Sequence, residues 1–405
     1  MFLEKEGKLI YSYDGETVCI EAWGKDALRV RATKNRSFTG RDWALEAKDA
    51  HAGEVEIFED PSAKGGAFAN MYEGTDTSYG KITNGKLHAV IDSGSVITFY
   101  HEDGRVLLKE HFRRLRDEES MPLNIMGREY SNGVGDNFRI VARFVARKGE
   151  KIFGMGQYQQ HELDLKGCML ELAQRNSQVS VPFYLSSIGY GFLWNNPGVG
   201  QVMFANNGTE WVTESGKEID YLVIAGDTPA EIEENYMTLT GKPPMMPEYG
   251  MGFWQCKLRY WNQEQLLSVA RKYKELGVPL DVIVVDFFHW TKQGEFKFDP
   301  KYWPDVPGMC RELKDMGIQV VVSVWPTVDI YSENFEEMKE KGYLVRTEHG
   351  VPLTMLCGGN EVFFDATNPD ARTYVWEKIK KNYYDQGAKL FWLDVAEPEY
   401  SVYDF

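Results

Sequence analysis

Lys389-Leu390-Phe391-Trp392-Leu393-Asp394-Val395-Ala396-Glu397-Pro398-Glu399 carries an apolar strand straight into carboxylates. Three earlier stretches share that layout: Gly250-Met251-Gly252-Phe253-Trp254-Gln255, Asp281-Val282-Ile283-Val284-Val285-Asp286 and Gln319-Val320-Val321-Val322-Ser323-Val324-Trp325. Each is a short apolar run that ends in polar or aromatic residues and leads on to a helix-like stretch. Strands without polar alternation, separated by helices, are the pattern of a parallel sheet covered on its faces.

The intervening helices can be read from their ends. Asn262 and Gln265 form a capping box, Leu266, Ala270 and Tyr273 share one face, and Gly277 closes that helix. Asp305 caps the next, which buries Met309, Leu313 and Met316 before Gly317. A third opens at Asn368-Pro369, carries Val375, Ile379 and Tyr383 at four-residue spacing, and closes at Gly387.

Residues before Pro243 follow another grammar. Short runs such as Val18-Cys19-Ile20-Glu21-Ala22-Trp23 and Ala89-Val90-Ile91 are punctuated by Gly, Asn and Asp, as in a β-sandwich. A short helix is expected from Thr228 as N-cap and Pro229 as first helical residue. Gly241-Lys242-Pro243-Pro244-Met245-Met246-Pro247 then makes a stiff boundary. The expected architecture is multidomain β and α/β: an N-terminal β-sandwich over residues 1–243, then the first half of a (β/α)8 TIM barrel over 244–405. A closed barrel takes roughly 250 residues, whereas about 160 follow Pro247, enough for four strands. The expectation is therefore a fragment of a longer protein that ends in mid-barrel.

Bulk composition narrows the partners. With 405 residues and 43% hydrophobic content, the chain can build two cores, and its formal charge of −16 disfavours nucleic acid and anionic membranes. Five scattered cysteines without a C-x-x-C pair signal neither a disulfide framework nor a zinc site, and seven scattered histidines offer no metal-ligand cluster. No cofactor is expected. Free thiols and an N-terminal stretch without an apolar core suit a cytoplasmic protein, and no run of about 18 apolar residues would span a bilayer. A homo-oligomer of the full-length protein is left open.

In a barrel of this kind the site forms at the C-terminal ends of the strands, where Asp286, Trp325 and Asp394 all fall. Carboxylates accept hydrogen bonds from sugar hydroxyls, and aromatic faces cover the apolar C–H patches of a sugar ring. A strand-end aspartate can also cap a helix; convergence of three strand ends on one mouth is what favours a sugar site. His289, between Phe288 and Trp290, is expected to be a packed residue. Cys256 and Cys357 have no histidine nearby in sequence and are expected to be inert. Gly154-Met155-Gly156 is expected to make a tight β-turn.

The segments Val181–Gly191, Asn195-Asn196-Pro197, Pro279–Asp286, Phe298-Asp299-Pro300, Val322–Pro326 and Trp392–Glu397, in this order, resemble glycoside hydrolase family 31, in particular its α-xylosidase-like branch. The resemblance implies a β-sandwich on a (β/α)8 barrel, with retaining hydrolysis of terminal non-reducing α-linked sugars through a covalent glycosyl-Asp intermediate. Asp394 falls at the nucleophile of the Trp-x-Asp-x-x-Glu pattern, Trp392 at its sugar-lining Trp, and Glu397 at its Glu, expected to orient the nucleophile. Asp286 matches the first Asp of an Asp-Ile-Asp-Tyr-Met stretch that holds sugar hydroxyls. Here that stretch reads Asp286-Phe287-Phe288-His289-Trp290, with Phe288 replacing the second Asp. Aromatic bulk from Phe287 and Phe288 suits a pentose, which lacks the hydroxymethyl arm, and Trp325 joins the sugar-binding set. The implied substrate is an α-xyloside or an oligosaccharide bearing one. The alternatives are an α-glucosidase or α-galactosidase of the same family, or a non-catalytic remnant, since the acid/base Asp is expected beyond residue 405.

Overall fold

The computed structural model describes residues 1–46, 49–59, 78–111, 113–115, 123–347, 350–354 and 360–397. The chain divides into two compact units, Met1–Ala173 with Ser177–Pro243, and Gln174–Asn176 with Pro244–Phe405.

The first unit is β-rich. Its largest sheet runs antiparallel through Phe2–Lys5, Lys8–Tyr13, Glu16–Trp23, Ala27–Thr33, Ile219–Ala225, Tyr190–Trp194, Val179–Ser186 and Ile152–Gln157. Two five-stranded sheets complete the layers, one through Val106–Lys109 to Glu54–Phe58 and the other from Arg128–Asn132 to Met169–Leu172. All three sheets contribute to one continuous core, which includes Val30 and Tyr221, Ile82 and Phe99, and Phe144 and Trp211.

Strand Ile219–Ala225 is buried at every position because its two faces serve different cores. Tyr221 and Val223 point into the inter-sheet core, whereas Leu222 and Ile224 meet Ile232 and Leu239 of helix Pro229–Thr240. That helix begins as its sequence specifies, with the Thr228 hydroxyl accepting from Glu231 N and Pro229 in the first turn. The expected turn at Gly154-Met155-Gly156 is corrected. These residues form a bulge inside strand Ile152–Gln157, where the register against Val179–Ser186 slips. All three have positive φ, and Met155 is fully buried, so the bulge turns one side chain into the core at a backbone cost glycines mitigate on either side.

The second unit contains a parallel sheet of four strands: β1 (Trp254–Gln255), β2 (Val282–Val285), β3 (Gln319–Val324) and β4 (Leu390–Leu393). Between them lie α1 (Gln263–Glu275), α2 (Val306–Asp315) and, after a short helix Phe335–Glu340, α3 (Pro369–Asn382). Three caps form as the sequence specifies: Asn262 accepts from Gln265 N, Asp305 from Gly308 N, and Asn368 from Asp370 N and Ala371 N. The Asn262 box is shifted by one residue on its return side, because Gln265 Oε1 accepts from Trp261 N. Two expectations need correction. Gly250 and Met251 belong to a 3-10 turn over Glu248–Met251, which confines β1 to two residues, and α3 gives way to a 3-10 turn at Tyr384–Gln386 before Gly387.

Alternation along these strands separates two faces. Ile283, Val285, Val320, Val322 and Val324 pack under Leu266, Met309, Leu313, Val375 and Ile379 of the helices. Val282, Val284 and Val321 form a second cluster with Leu390 on the opposite face. A period of two carries that second face onward through Ser323 and Trp392 to the strand ends. Among the described residues no helix is long and apolar enough to cross a membrane.

Candidate active site

Strand parity fixes which end residues meet. Asp286 follows Val282 and Val284, Trp325 follows Val321 and Ser323, and Asp394 follows Leu390 and Trp392, so all three continue the face away from the helices. The parallel register pairs Val324 with Leu393, which brings Trp325 level with Asp394. Trp325 Nε1 donates to Asp394 Oδ2 at 3.1 Å, and Asp394 N donates to Val324 O at 3.1 Å. Asp394 Oδ1 has no hydrogen-bond partner among the described residues.

The turn beyond Asp394 is strained. Val395 has φ +57, a conformation β-branched residues rarely adopt, at a typical cost of about 1–3 kcal/mol. Its side chain is buried with Phe363, and Trp325 packs against the same cluster. That packing offsets the strain and anchors the backbone just after the Asp394 carboxylate.

At the other end of the arc, Asp286 Oδ1 accepts from Phe287 N at 2.8 Å, and Cys256 Sγ, just past β1, lies 3.6 Å from Asp286 Oδ2. Among the described residues the carboxylate caps no helix; its backbone partner is Phe287 N in its own loop. Phe287 bridges the two aspartates, its ring 5.0 Å from Trp325 and 4.4 Å from Phe288. Phe288 is 54% exposed with φ +65, and the Arg259 guanidinium stands 5.4 Å from its ring and 3.7 Å from that of Trp261. The four strand ends thus form one connected line: Cys256, Asp286, Phe287, Trp325, Asp394.

The remaining expected residues lie close by. Trp392 is half-exposed on the same face as Asp394. Glu397 Oε2 is buried without a hydrogen-bond partner among the described residues, and the donor that holds Asp394 is Trp325. His289 is packed, with Nδ1 on Asp286 O at 3.0 Å and Nε2 on the Tyr383 hydroxyl at 2.9 Å. Burial lowers its pKa to about 4, so it stays neutral and supports the Asp286 loop. The Cys256 thiol is pushed up to about 11 by desolvation and then by the Asp286 charge, which makes it a poor nucleophile. Cys357 lies outside the described residues. No group of three or more His, Cys, Asp or Glu side chains among the described residues could hold a metal ion.

Sequence reasoning missed two participants. Arg259 and the contact of Cys256 with Asp286 carry no motif, and both depend on where the short β1 strand ends.

Family models match both parts of the chain. Residues 17–202 fit the glycosyl hydrolase 31 N-terminal galactose mutarotase-like domain, and residues 243–404 fit the glycosyl hydrolases family 31 TIM-barrel domain. An uncharacterized family 31 glucosidase, ORF2, of Pseudescherichia vulneris is 44% identical over all of this chain and 75% of its own length. The chain belongs to glycosyl hydrolase family 31. Alpha-xylosidase A of Aspergillus niger is 31% identical over 94% of the chain and 52% of its own length. The crystal structure of a GH31 alpha-xylosidase from a soil metagenome, complexed with xylose, superposes with a TM-score of 0.89 at 49% identity; it covers all of this chain, which spans 59% of it. The xylosidase from Aspergillus niger superposes at 0.80 with 29% identity, over 96% of this chain and 55% of its own. This family 31 chain therefore spans about half to three quarters of the length of these relatives.

Proposed function

We propose that the full-length protein is a retaining α-glycosidase that removes terminal non-reducing α-xylosyl residues, with Asp394 as nucleophile. The observation that carries the proposal is the placement of two carboxylates, Asp286 and Asp394, on one face of the parallel sheet with Phe287 and Trp325 between them. Trp325 holds Oδ2 and leaves Oδ1 to attack the anomeric carbon. That attack forms a C1–O bond and breaks the bond to the aglycone oxygen, which departs with a proton from a second carboxylic acid. Water then cleaves the glycosyl ester, so two inversions give net retention. The second acid is not assigned to a residue of this chain.

Asp286 accepts hydrogen bonds from sugar hydroxyls distant from the scissile bond, and Glu397 supports the Asp394 turn. Trp392 and Trp325 face the ring. Phe288 supplies aromatic bulk where the family stretch has its second carboxylate, with Phe287 beside it, which suits a sugar without a hydroxymethyl group. The named xylosidases among the similar proteins favour the same sugar, whereas the relative named a glucosidase keeps glucose as the competing reading. The free thiols of Cys19, Cys168, Cys256 and Cys310 suit a reducing, cytoplasmic setting.

The full-length protein is to be assayed side by side on p-nitrophenyl α-xyloside, α-glucoside and α-galactoside, with the first-formed anomer followed by NMR. The proposal expects the highest kcat/KM on the xyloside and release of α-xylose. Preference for the glucoside would replace the sugar, and a β-anomer as first product would exclude retention.

A further inference from the structure

We propose that Cys256 is a positioning residue for the reaction: its thiol donates to Asp286 Oδ2 and fixes the carboxylate that receives the sugar hydroxyls. The proposal rests on the sugar-binding role given to Asp286 above. Its basis is geometric. Asp286 Oδ1 is held by Phe287 N at 2.8 Å, and Oδ2 faces Cys256 Sγ at 3.6 Å, so both oxygens are tethered from different strand ends. A carboxylate has about four acceptor positions, and two tethers fix its plane while leaving the others for hydroxyls.

A serine or a charged side chain at position 256 would suit such a tether less well. Sulfur reaches farther than a hydroxyl oxygen. The thiol is exposed at the surface, yet partial desolvation and then the Asp286 charge push it up to about 11, so it is a neutral donor at neutral pH. Lys257 O, 3.9 Å from the sulfur, is a weaker competing acceptor, and Tyr260 also senses the thiol.

Two readouts in the full-length protein test this. The first needs no activity: iodoacetamide labelling of Cys256 at pH 8, followed by peptide mass spectrometry. Asp286→Asn removes the charge that raises the thiol, so labelling should accelerate roughly threefold or more. An unchanged rate would show that the two groups do not interact and would overturn the proposal. The second is steady-state kinetics on whichever sugar the wild type hydrolyses best. Cys256→Ala should lower kcat/KM about two- to tenfold, the range of one hydrogen bond, chiefly through KM, and Cys256→Ser should recover part of the loss. Wild-type kinetics in Cys256→Ala would overturn the positioning role even with coupled labelling. A sugar preference other than xylose would count against the proposed substrate and leave this test intact.

Discussion

Trp325 Nε1 and Asp394 Oδ2 are 3.1 Å apart although 69 residues separate them in the chain. The contact is a product of sheet register: β3 and β4 run parallel with Val324 opposite Leu393, and the next residue of each strand meets the other. One carboxylate oxygen is held and the other is presented.

Replacing Trp325 by Phe keeps the ring against Phe287 and removes the donor. A hydrogen bond to a charged group is worth about 1.5–3 kcal/mol, so kcat/KM should fall roughly 10- to 150-fold with little change in melting temperature. A variant within twofold of wild type would show that Asp394 is positioned by other groups.

Asp286→Asn preserves the shape of the side chain and loses its charge. With charge-assisted bonds to sugar hydroxyls weakened, kcat/KM should drop by about tenfold or more, since each such bond contributes about 1.5–3 kcal/mol. Initial-rate measurements on the preferred glycoside decide the matter, and an unaltered kcat/KM would assign Asp286 a structural role only.

His289 makes stability depend on pH. Burial lowers its pKa from 6.5 to about 4, so between those values the unfolded state binds the proton that the folded state excludes. The stability it contributes is complete above pH 6.5 and is lost as pH falls towards 4, a change on the order of a few kcal/mol. Urea denaturation of wild type and His289→Gln at pH 5 and pH 7 isolates this residue. The wild type should lose more stability on acidification than the variant; equal losses would contradict a buried neutral imidazole.

Local signals made much of the barrel unit legible in the sequence. The caps at Asn262, Asp305 and Asn368 and the apolar runs of β2, β3 and β4 depend on residues a few positions apart, and they formed where expected. Asp286, Trp325 and Asp394 were recognisable because each ends an apolar strand run. What remained hidden depends on distant partners. The small antiparallel pair Thr327–Asp329 with Glu361–Phe363 and the helix Phe335–Glu340 occupy a connection that the sequence reading left without structure. Cys256 meets Asp286 only because Gly250 and Met251 turn in a 3-10 helix and delay β1 to Trp254. At Met155, Gly-x-Gly permits positive φ in a turn and in a bulge alike, and only pairing with Val179–Ser186 distinguishes them.

Asp394→Asn should remove turnover and leave the fold intact, since the side chain projects from a strand end and contributes little to the core. Near-UV circular dichroism and melting temperature should match wild type, with residual activity below about one part in a thousand. Ordinary rates in the variant would place the nucleophile elsewhere.

The central claim is that Asp394 forms a glycosyl ester, and trapping that ester tests it most directly. The full-length protein is to be incubated with 5-fluoro-α-xylosyl fluoride, which accumulates the intermediate by slowing its hydrolysis, and then digested and mapped by tandem mass spectrometry. The account predicts one fluoroxylosyl adduct on the peptide that contains Asp394, with fragment ions locating it on that side chain. An adduct on any other residue, or full inactivation of the wild type without a covalent adduct, would contradict it.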